Sequence, residues 1–152
     1  MDNRFLFRGK RLDNGEWIIG SLCDGDNGHY IVYDNDFYET TKGGQTALRA
    51  DRYFEICPTT IGQSTGLYAA KSYRGESDED RLIWEGDVIR WRETNLDDFD
   101  YPPQPIRWFG DSQYPAFDME YHDYDSNGLS HLYVHGYEIE IIGTIYDKEA
   151  GQ

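Results

Sequence analysis

The residues with the clearest metal-ligand spacing lie in the segment DYDSNG, residues 123–128. Asp123, Asp125 and Asn127, followed by a glycine, reproduce the first half of an EF-hand calcium loop. The twelfth position of such a loop requires a glutamate that binds through both oxygens, but Val134 stands there. We therefore predict a polar β-turn in this segment, with calcium binding as the alternative.

Three histidines surround the same turn. His131 and His135 are four residues apart, so they share one face of a helix and equally one face of a strand. His122 precedes the turn, and Asp118 or Asp123 could complete a tetrahedral zinc site with the imidazoles. No zinc-binding signature accompanies them, and neighbouring tyrosines favour ordinary packing. We predict no metal and no cofactor here.

Nucleophilic and acid–base catalysis have no recognisable motif in this chain. Cys23 and Cys57 have no histidine near them in the sequence. Glu85 and Asp87 form a carboxylate pair, but 29 of the 152 residues are acidic, so the pair has little specificity for glycosidase chemistry. We therefore predict that the protein is not an enzyme and that it has no catalytic residues.

The triplet Glu85-Gly86-Asp87 is better explained as a bend between two buried strands. Apolar residues alternate with other residues on both sides of it in the segment LIWEGDVIRW, residues 82–91. Gly86 would supply an unusual backbone angle, and Asp87 would bond neighbouring amides as in an Asx turn. In this interpretation Gly86→Val destabilises the fold sharply, whereas Asp87→Asn has a much smaller effect.

Composition and turn spacing predict a mainly β protein with at most one or two short helices. Aromatic residues make up 16% of the chain, and 13 of them are tyrosines, a residue type common in strands. Turn signals separate short apolar runs at roughly eight- to twelve-residue intervals, as in sandwiches and small barrels. The pair Asn14-Gly15 predicts an N-terminal β-hairpin, and Gly143 interrupts a late strand, which predicts a bulge.

The charge and cysteine content limit the partners and the location of the protein. Lys and Arg number 14 against 29 acidic residues, for a formal charge of −15, which disfavours binding to the nucleic-acid backbone and to anionic membranes. The opening residues do not resemble a signal peptide, and no apolar run has the length of a membrane span. We therefore predict a cytoplasmic protein whose two cysteines are free.

Four segments in this order resemble the YopX family of phage and prophage proteins. They are FLFRGKRLDNGEWIIGSL at 5–22, GQSTGLY at 62–68, IWEGDVIRW at 83–91 and IEIIGTIYD at 139–147. The chain departs from the family at Ser64, where an aromatic residue is usual, and at Thr144, where asparagine is usual.

The resemblance implies a small SH3-like β-barrel in residues 59–147, preceded by an N-terminal β module in residues 1–58 and followed by a tail, residues 148–152, and we expect these parts to form one compact unit. Gly66, Gly86 and Gly143 would then mark turns and bulges of this framework. The family supplies no reaction that can be carried over to this chain.

The expected function is that of a phage or prophage accessory protein in the bacterial host cytosol, which binds a host or phage protein without catalysis and could also self-associate. One alternative is an acidic mimic of DNA that inhibits a host nucleic-acid-binding protein through the acidic loops, residues 74–80 and 93–105. A second alternative is a metal-dependent enzyme or metal-binding protein that uses His122, His131 and His135.

Overall fold

The computed structural model describes residues 5–34, 36–94, 102–110, 116–121 and 127–147. Within these ranges the protein has thirteen β-strands and two short α-helices, so the predicted mainly β fold is confirmed. The chain forms two compact units, Met1–Ser64 and Thr65–Gln152. The division lies inside a strand, whereas the predicted division after residue 58 falls at a 3-10 turn, Pro58–Thr60.

The described residues of the first unit form six antiparallel strands and the beginning of a seventh. In chain order they are β1 (Phe7–Lys10), β2 (Trp17–Gly25), β3 (Gly28–Tyr33), β4 (Phe37–Lys42), β5 (Gln45–Ala50) and β6 (Tyr53–Ile56). β1 and β2 form the predicted hairpin, in which Gly15 has a φ of +72° and Lys10 lies opposite Trp17. A positive φ is accessible to glycine at little cost, and this explains the turn residue.

The main sheet of the first unit has the strand order β6-β3-β2-β1, and the beginning of β7 (Gly62–Tyr68) pairs with β1. Ile18, Ile31 and Ile56 are buried on one face of it and form the core of the unit. The end of β1 also meets β6, through a bridge between Arg11 and Ile56. This bridge brings the hairpin turn close to the strand that carries Phe54.

Strands β4 and β5 form a separate two-stranded sheet in the described part of the chain. Their hairpin turns at Gly43-Gly44, both of which have positive φ, and most of its side chains are exposed. Such a ribbon has little apolar surface to bury, so it contributes little to the core of the unit.

The second unit consists of the end of β7 together with six further strands and two helices. In chain order these are β8 (Lys71–Ser72), α1 (Asp78–Arg81), β9 (Leu82–Trp84), β10 (Asp87–Arg92), β11 (Gln104–Trp108), β12 (Phe117–Met119), α2 (Gly128–Val134) and β13 (Glu138–Thr144). β9 lies next to β7, and the other strands form a sheet with the order β12-β11-β10-β13-β8. Neither sheet closes among the described residues, so the SH3-like barrel stays a prediction.

The core of the second unit lies on one face of the five-stranded sheet and is covered by α2. Ile89 and Trp91 of β10 and Ile139 and Ile141 of β13 are buried there, while the residues between them point outward. The register of β10 and β13 shifts by one residue, because Val88 lies opposite Gly143 and Ile89 lies opposite Ile141. The extra residue adjoins Gly143, where the sequence predicted a bulge.

Candidate functional site

The Glu-Gly-Asp triplet forms the turn between β9 and β10. Gly86 has a φ of +90°, its amide donates to the carbonyl of Ile106 at 2.8 Å, and its carbonyl accepts from the amide of Ile145 at 2.9 Å. An added Cβ on Gly86 would lie 2.9 Å from Cε2 of Tyr146. Both the backbone angle and the available space therefore require glycine here.

Asp87 lies directly after this turn and its side chain is fully buried. Its carboxylate accepts hydrogen bonds from Nη1 and Nη2 of Arg74 at 2.9 and 3.1 Å, and from the amide of Trp84 at 2.9 Å. Arg74 also donates to the carbonyls of Asp80 and Leu82. The ion pair thus connects residue 74, the segment of residues 80–84 and the start of β10. Because Asp87 makes these contacts, we no longer expect Asp87→Asn to have only a small effect.

The partial burial of Arg74 could not be predicted from the sequence, because this residue lies in a polar run that predicts a solvated loop. Burial by itself lowers the pKa of the Arg74 guanidinium. The hydrogen bonds and charge of Asp87 outweigh this effect and raise the pKa of Arg74 above its ordinary value. The guanidinium therefore stays charged, and its two bonds to the Asp87 carboxylate connect residue 74 to the turn.

The acidic run at residues 75–80 is also more ordered than predicted. Its second half forms α1, whose first amides are capped by Ser77, which accepts from the amide of Asp80 at 3.1 Å. Asp78 pairs with Arg81 at 2.6 Å on the surface of the same helix. Of the second acidic loop, residues 95–101 lie outside the described part of the chain.

Asp118, a predicted alternative zinc ligand, is buried and caps α2. Its two carboxylate oxygens accept from the amides of Met119, Leu129 and Gly128 at 2.8, 2.9 and 3.1 Å. Asn127, the only candidate ligand of the predicted calcium loop that lies among the described residues, caps the same helix through its side-chain oxygen. These oxygens stabilise the start of the helix, and this physical role explains both residue types without a metal.

The remaining metal candidates are divided between the helix and the undescribed turn. His122, Asp123 and Asp125 lie outside the described residues. His131 and His135 are exposed on α2, with their ring centroids 4.3 Å apart. Within the described ranges, no group of three or more His, Cys, Asp or Glu side chains is placed to hold a metal ion.

Both cysteines are free, as predicted. The Sγ atom of Cys57 lies 3.2 Å from the hydroxyl of Thr59, and this side-chain hydrogen bond is the main reason why the pKa of the Cys57 thiol is lowered. A single thiol of this kind does not define a catalytic centre, because a nucleophile also needs a positioned base.

A cleft of about 320 Å³ lies on the first unit at the end of the β1–β2 hairpin. We call it the Arg–aromatic cleft, after the residues that line it, which are Arg11, Glu16, Trp17, Ile18, Tyr33, Arg52 and Phe54. The guanidinium carbon of Arg11 lies 3.9 Å from the ring centroid of Phe54, and that of Arg52 lies 4.8 Å from the ring centroid of Tyr33. Two cations therefore stack on aromatic faces at this cleft.

Carboxylates of neighbouring turns orient both guanidinium groups. Nε of Arg11 donates to Oδ1 of Asp13 at 2.8 Å, and Nη2 of Arg52 donates to Oδ2 of Asp36 at 3.1 Å. The bond to Asp13 raises the pKa of Arg11 and lowers the pKa of Asp13. Each arginine thus contacts both an aromatic ring and a carboxylate.

The sequence did not reveal the Arg–aromatic cleft because its residues are spread over more than forty positions. Arg11 and Trp17 flank the hairpin turn, whereas Arg52 and Phe54 come from the segment around β6.

The charge differs between the two units. Residues 1–64 contain seven Lys and Arg residues and ten acidic residues, whereas residues 65–152 contain seven Lys and Arg residues and nineteen acidic residues. The cleft therefore belongs to the less acidic part.

No family model, curated protein or solved structure matches this chain. The resemblance to the YopX family therefore rests on the four segments alone and stays a prediction. Among the described residues, no helix is both long and apolar enough to cross a membrane.

Proposed function

We propose that this protein is a YopX-like phage or prophage accessory protein that binds another protein in the bacterial cytosol without catalysing a reaction. We further propose that the Arg–aromatic cleft is its binding surface. The observation that carries the proposal is the pair of arginines stacked on aromatic rings at either side of the cleft, next to Trp17.

The residue types of the cleft are those that dominate the energetics of protein interfaces. Arginine, tyrosine and tryptophan are enriched among the residues that contribute most to binding, whereas lysine and small polar residues are depleted. Tyr33 is 44% exposed and the Arg52 side chain is 53% exposed, so a partner can reach both. Burying such groups in a complex would release water from large, partly apolar surfaces.

The size and charge of the cleft indicate what kind of group it accepts. A volume of about 320 Å³ is near the lower end for ligand pockets, and it suits one or two side chains of a protein partner. Guanidinium groups at its rim favour a carboxylate or an aromatic side chain. A nucleic-acid backbone is a poor partner, because the net charge of the protein is −15.

The arginines of the cleft are positioned before any partner arrives. A long side chain normally loses conformational entropy when it is ordered in an interface, at a cost of about 0.5–1.5 kcal/mol. The ion pairs of Arg11 with Asp13 and of Arg52 with Asp36 order these side chains in the isolated protein. More of the interaction energy is then available for binding.

The last segment that carries the family resemblance forms a turn stabilised by its own side chains, and this role indicates no reaction. In the last segment, Thr144 donates from its amide and its hydroxyl to Asp147, at 2.7 and 3.0 Å. Threonine can therefore close this turn where the family usually has asparagine. The Arg–aromatic cleft combines both kinds of residue: Tyr33, Arg52 and Phe54 lie outside the four segments, whereas its other lining residues belong to the first segment.

The proposal is tested by quantitative affinity capture with three baits and lysates of uninfected and phage-infected bacteria. The baits are the wild type, the cleft variant Tyr33→Ala/Arg52→Ala, and the matched variant Tyr38→Ala/Arg49→Ala. The matched variant removes the same residue types from the exposed β4–β5 hairpin of the same unit. We expect that the wild type and the matched variant capture the same partner in equal amounts. The cleft variant should bind this partner at least roughly 30-fold more weakly, which corresponds to the loss of about 2 kcal/mol at an interface hot spot.

Equal capture by all three baits would show that the cleft is not the binding surface. Chemical alteration of the recovered partner would contradict the non-enzymatic role. DNA mimicry predicts a different pattern, in which capture of basic nucleic-acid-binding proteins falls steeply with rising salt and does not depend on Tyr33.

A further inference from the structure

The second unit presents two exposed imidazoles on one face of α2. The amide of His135 donates to the carbonyl of His131 at 3.0 Å, so the helical spacing continues to His135 although this residue caps the helix. The ring centroids are 4.3 Å apart, and the ring planes are inclined by 44°. Side chains four residues apart on a helix lie on the same face, which allows both rings to reach one ion.

The two rings border a hollow of about 380 Å³ that also contains a carboxylate. Its walls are formed by Glu93, Thr94, His131, His135 and Tyr137. The hydroxyl of Tyr137 donates to Oε1 of Glu93 at 3.4 Å, and the hydroxyl of Thr94 donates to the carbonyl of Gly136 at 2.7 Å. These bonds connect Glu93 and Thr94 to the residues that follow the helix, and the carboxylate of Glu93 makes the hollow attractive to a cation.

We propose that His131 and His135 form a two-imidazole binding site for a divalent cation of the Zn²⁺, Ni²⁺ or Cu²⁺ type. Each neutral imidazole offers one nitrogen lone pair, and these metals accept imidazole readily, whereas Ca²⁺ and Mg²⁺ prefer oxygen ligands. Two protein ligands leave coordination positions for water, so the site would exchange its ion with solvent. Glu93 would act through its charge rather than as a ligand in the described geometry.

This site differs from those predicted from the sequence. A calcium loop at residues 123–128 would use oxygen ligands, and a three-histidine zinc site would also require His122. The two-imidazole site needs neither of them, and it leaves Asp118 and Asn127 in their role as helix caps.

Calorimetric titration of the full-length, untagged protein with NiCl₂ and with ZnCl₂ tests the proposal. We expect one ion bound per chain and at least roughly tenfold weaker binding in His131→Ala and in His135→Ala, because even loss of an outer hydrogen bond to a ligand commonly weakens metal binding by that factor. His29→Ala is the matched control, since His29 is in the first unit and interacts with Asp24. Both target side chains are exposed, and far-UV circular dichroism will verify that the variants fold.

A second measurement locates the ion. Substoichiometric CuCl₂ should broaden the amide NMR signals of α2 and of Glu93 first, and acidification should reverse the effect because protonated imidazole cannot bind a metal. Unchanged affinity in the double variant His131→Ala/His135→Ala would overturn the proposal. Broadening centred on His29, or on residues 122–126 with α2 unaffected, would overturn it as well.

Discussion

Replacement of Asp87 by asparagine is the sharpest test of how the turn between β9 and β10 is stabilised. The substitution preserves the size of the side chain and one oxygen that can accept from the amide of Trp84, but it removes the negative charge. In the wild type the carboxylate of Asp87 accepts from both terminal nitrogens of Arg74, at 2.9 and 3.1 Å. In the variant, Arg74 would keep its positive charge without this carboxylate next to it.

The expected loss in free energy of unfolding is about 3 kcal/mol. Removing one partner of a buried ion pair typically costs about 3–5 kcal/mol, because the other charge stays desolvated. The side chain of Arg74 is 19% exposed and keeps its bonds to the carbonyls of Asp80 and Leu82, so the lower end of this range applies. Such a loss is a large share of the stability of a small protein.

Urea unfolding followed by tryptophan fluorescence measures this loss. The chain has four tryptophans, and one of them, Trp84, is 1% exposed and lies three residues before Asp87, so part of the signal comes from this region of the fold. Asp78→Asn is the matched control, because Asp78 also pairs with an arginine but is 84% exposed. An exposed pair of this kind contributes at most about 1 kcal/mol.

The result that would refute this reasoning is a cost for Asp87→Asn no larger than that for Asp78→Asn. A double variant, Arg74→Met/Asp87→Asn, provides an independent check. It removes the desolvated charge of Arg74, and asparagine can still accept from the amide of Trp84, so the double variant should be no less stable than Asp87→Asn alone. A double variant as unstable as the sum of the single changes would show that the two side chains act independently.

Two further predictions concern other parts of the second unit. Gly86→Val should lower the free energy of unfolding, measured by urea denaturation, by about 1–3 kcal/mol or more. A β-branched residue resists a positive φ, and its Cβ would meet Tyr146. A urea midpoint equal to that of the wild type would contradict this prediction. The hydrogen bond from Arg92, aided by the charges of Arg92 and Lys71, lowers the pKa of Glu138. The interaction of ionised Glu138 with these two cations therefore stabilises the fold fully above the ordinary glutamate pKa of about 4.3. This stabilisation is lost as the pH falls through the lower pKa that Glu138 has in the folded state. Glu138→Gln should then show a smaller decline in unfolding free energy than the wild type between about pH 5 and about pH 3 in stepped urea titrations, and equal declines would count against it.

Local features of the fold could be predicted from the sequence because they depend on neighbouring residues. The Asn14-Gly15 hairpin, the alternation of buried and outward-facing residues in β13, and the bend at Gly86 all follow from backbone preferences and from the period of a strand. Each requires information from fewer than about ten consecutive residues.

The short helix α2 shows where local information ends. A helix of seven residues is marginal in isolation, since nucleation is costly. Leu129 and Leu132 are buried against the core, and Asp118 binds the first amides of the helix from ten residues away. The sequence around the helix predicted a turn with metal-like spacing, because these distant contacts were not visible in it.

The sequence by itself determined the mainly β class, the free cysteines, the turn glycines Gly15 and Gly86, and the acidic charge. Only the tertiary structure decided that Asp87 pairs with Arg74, that Asp118 and Asn127 serve as helix caps, and that two arginines stack on rings at one cleft. Turn chemistry and strand period act between near neighbours along the chain. Charge pairing and aromatic stacking act between side chains whose separation is fixed only when the strands have found their register.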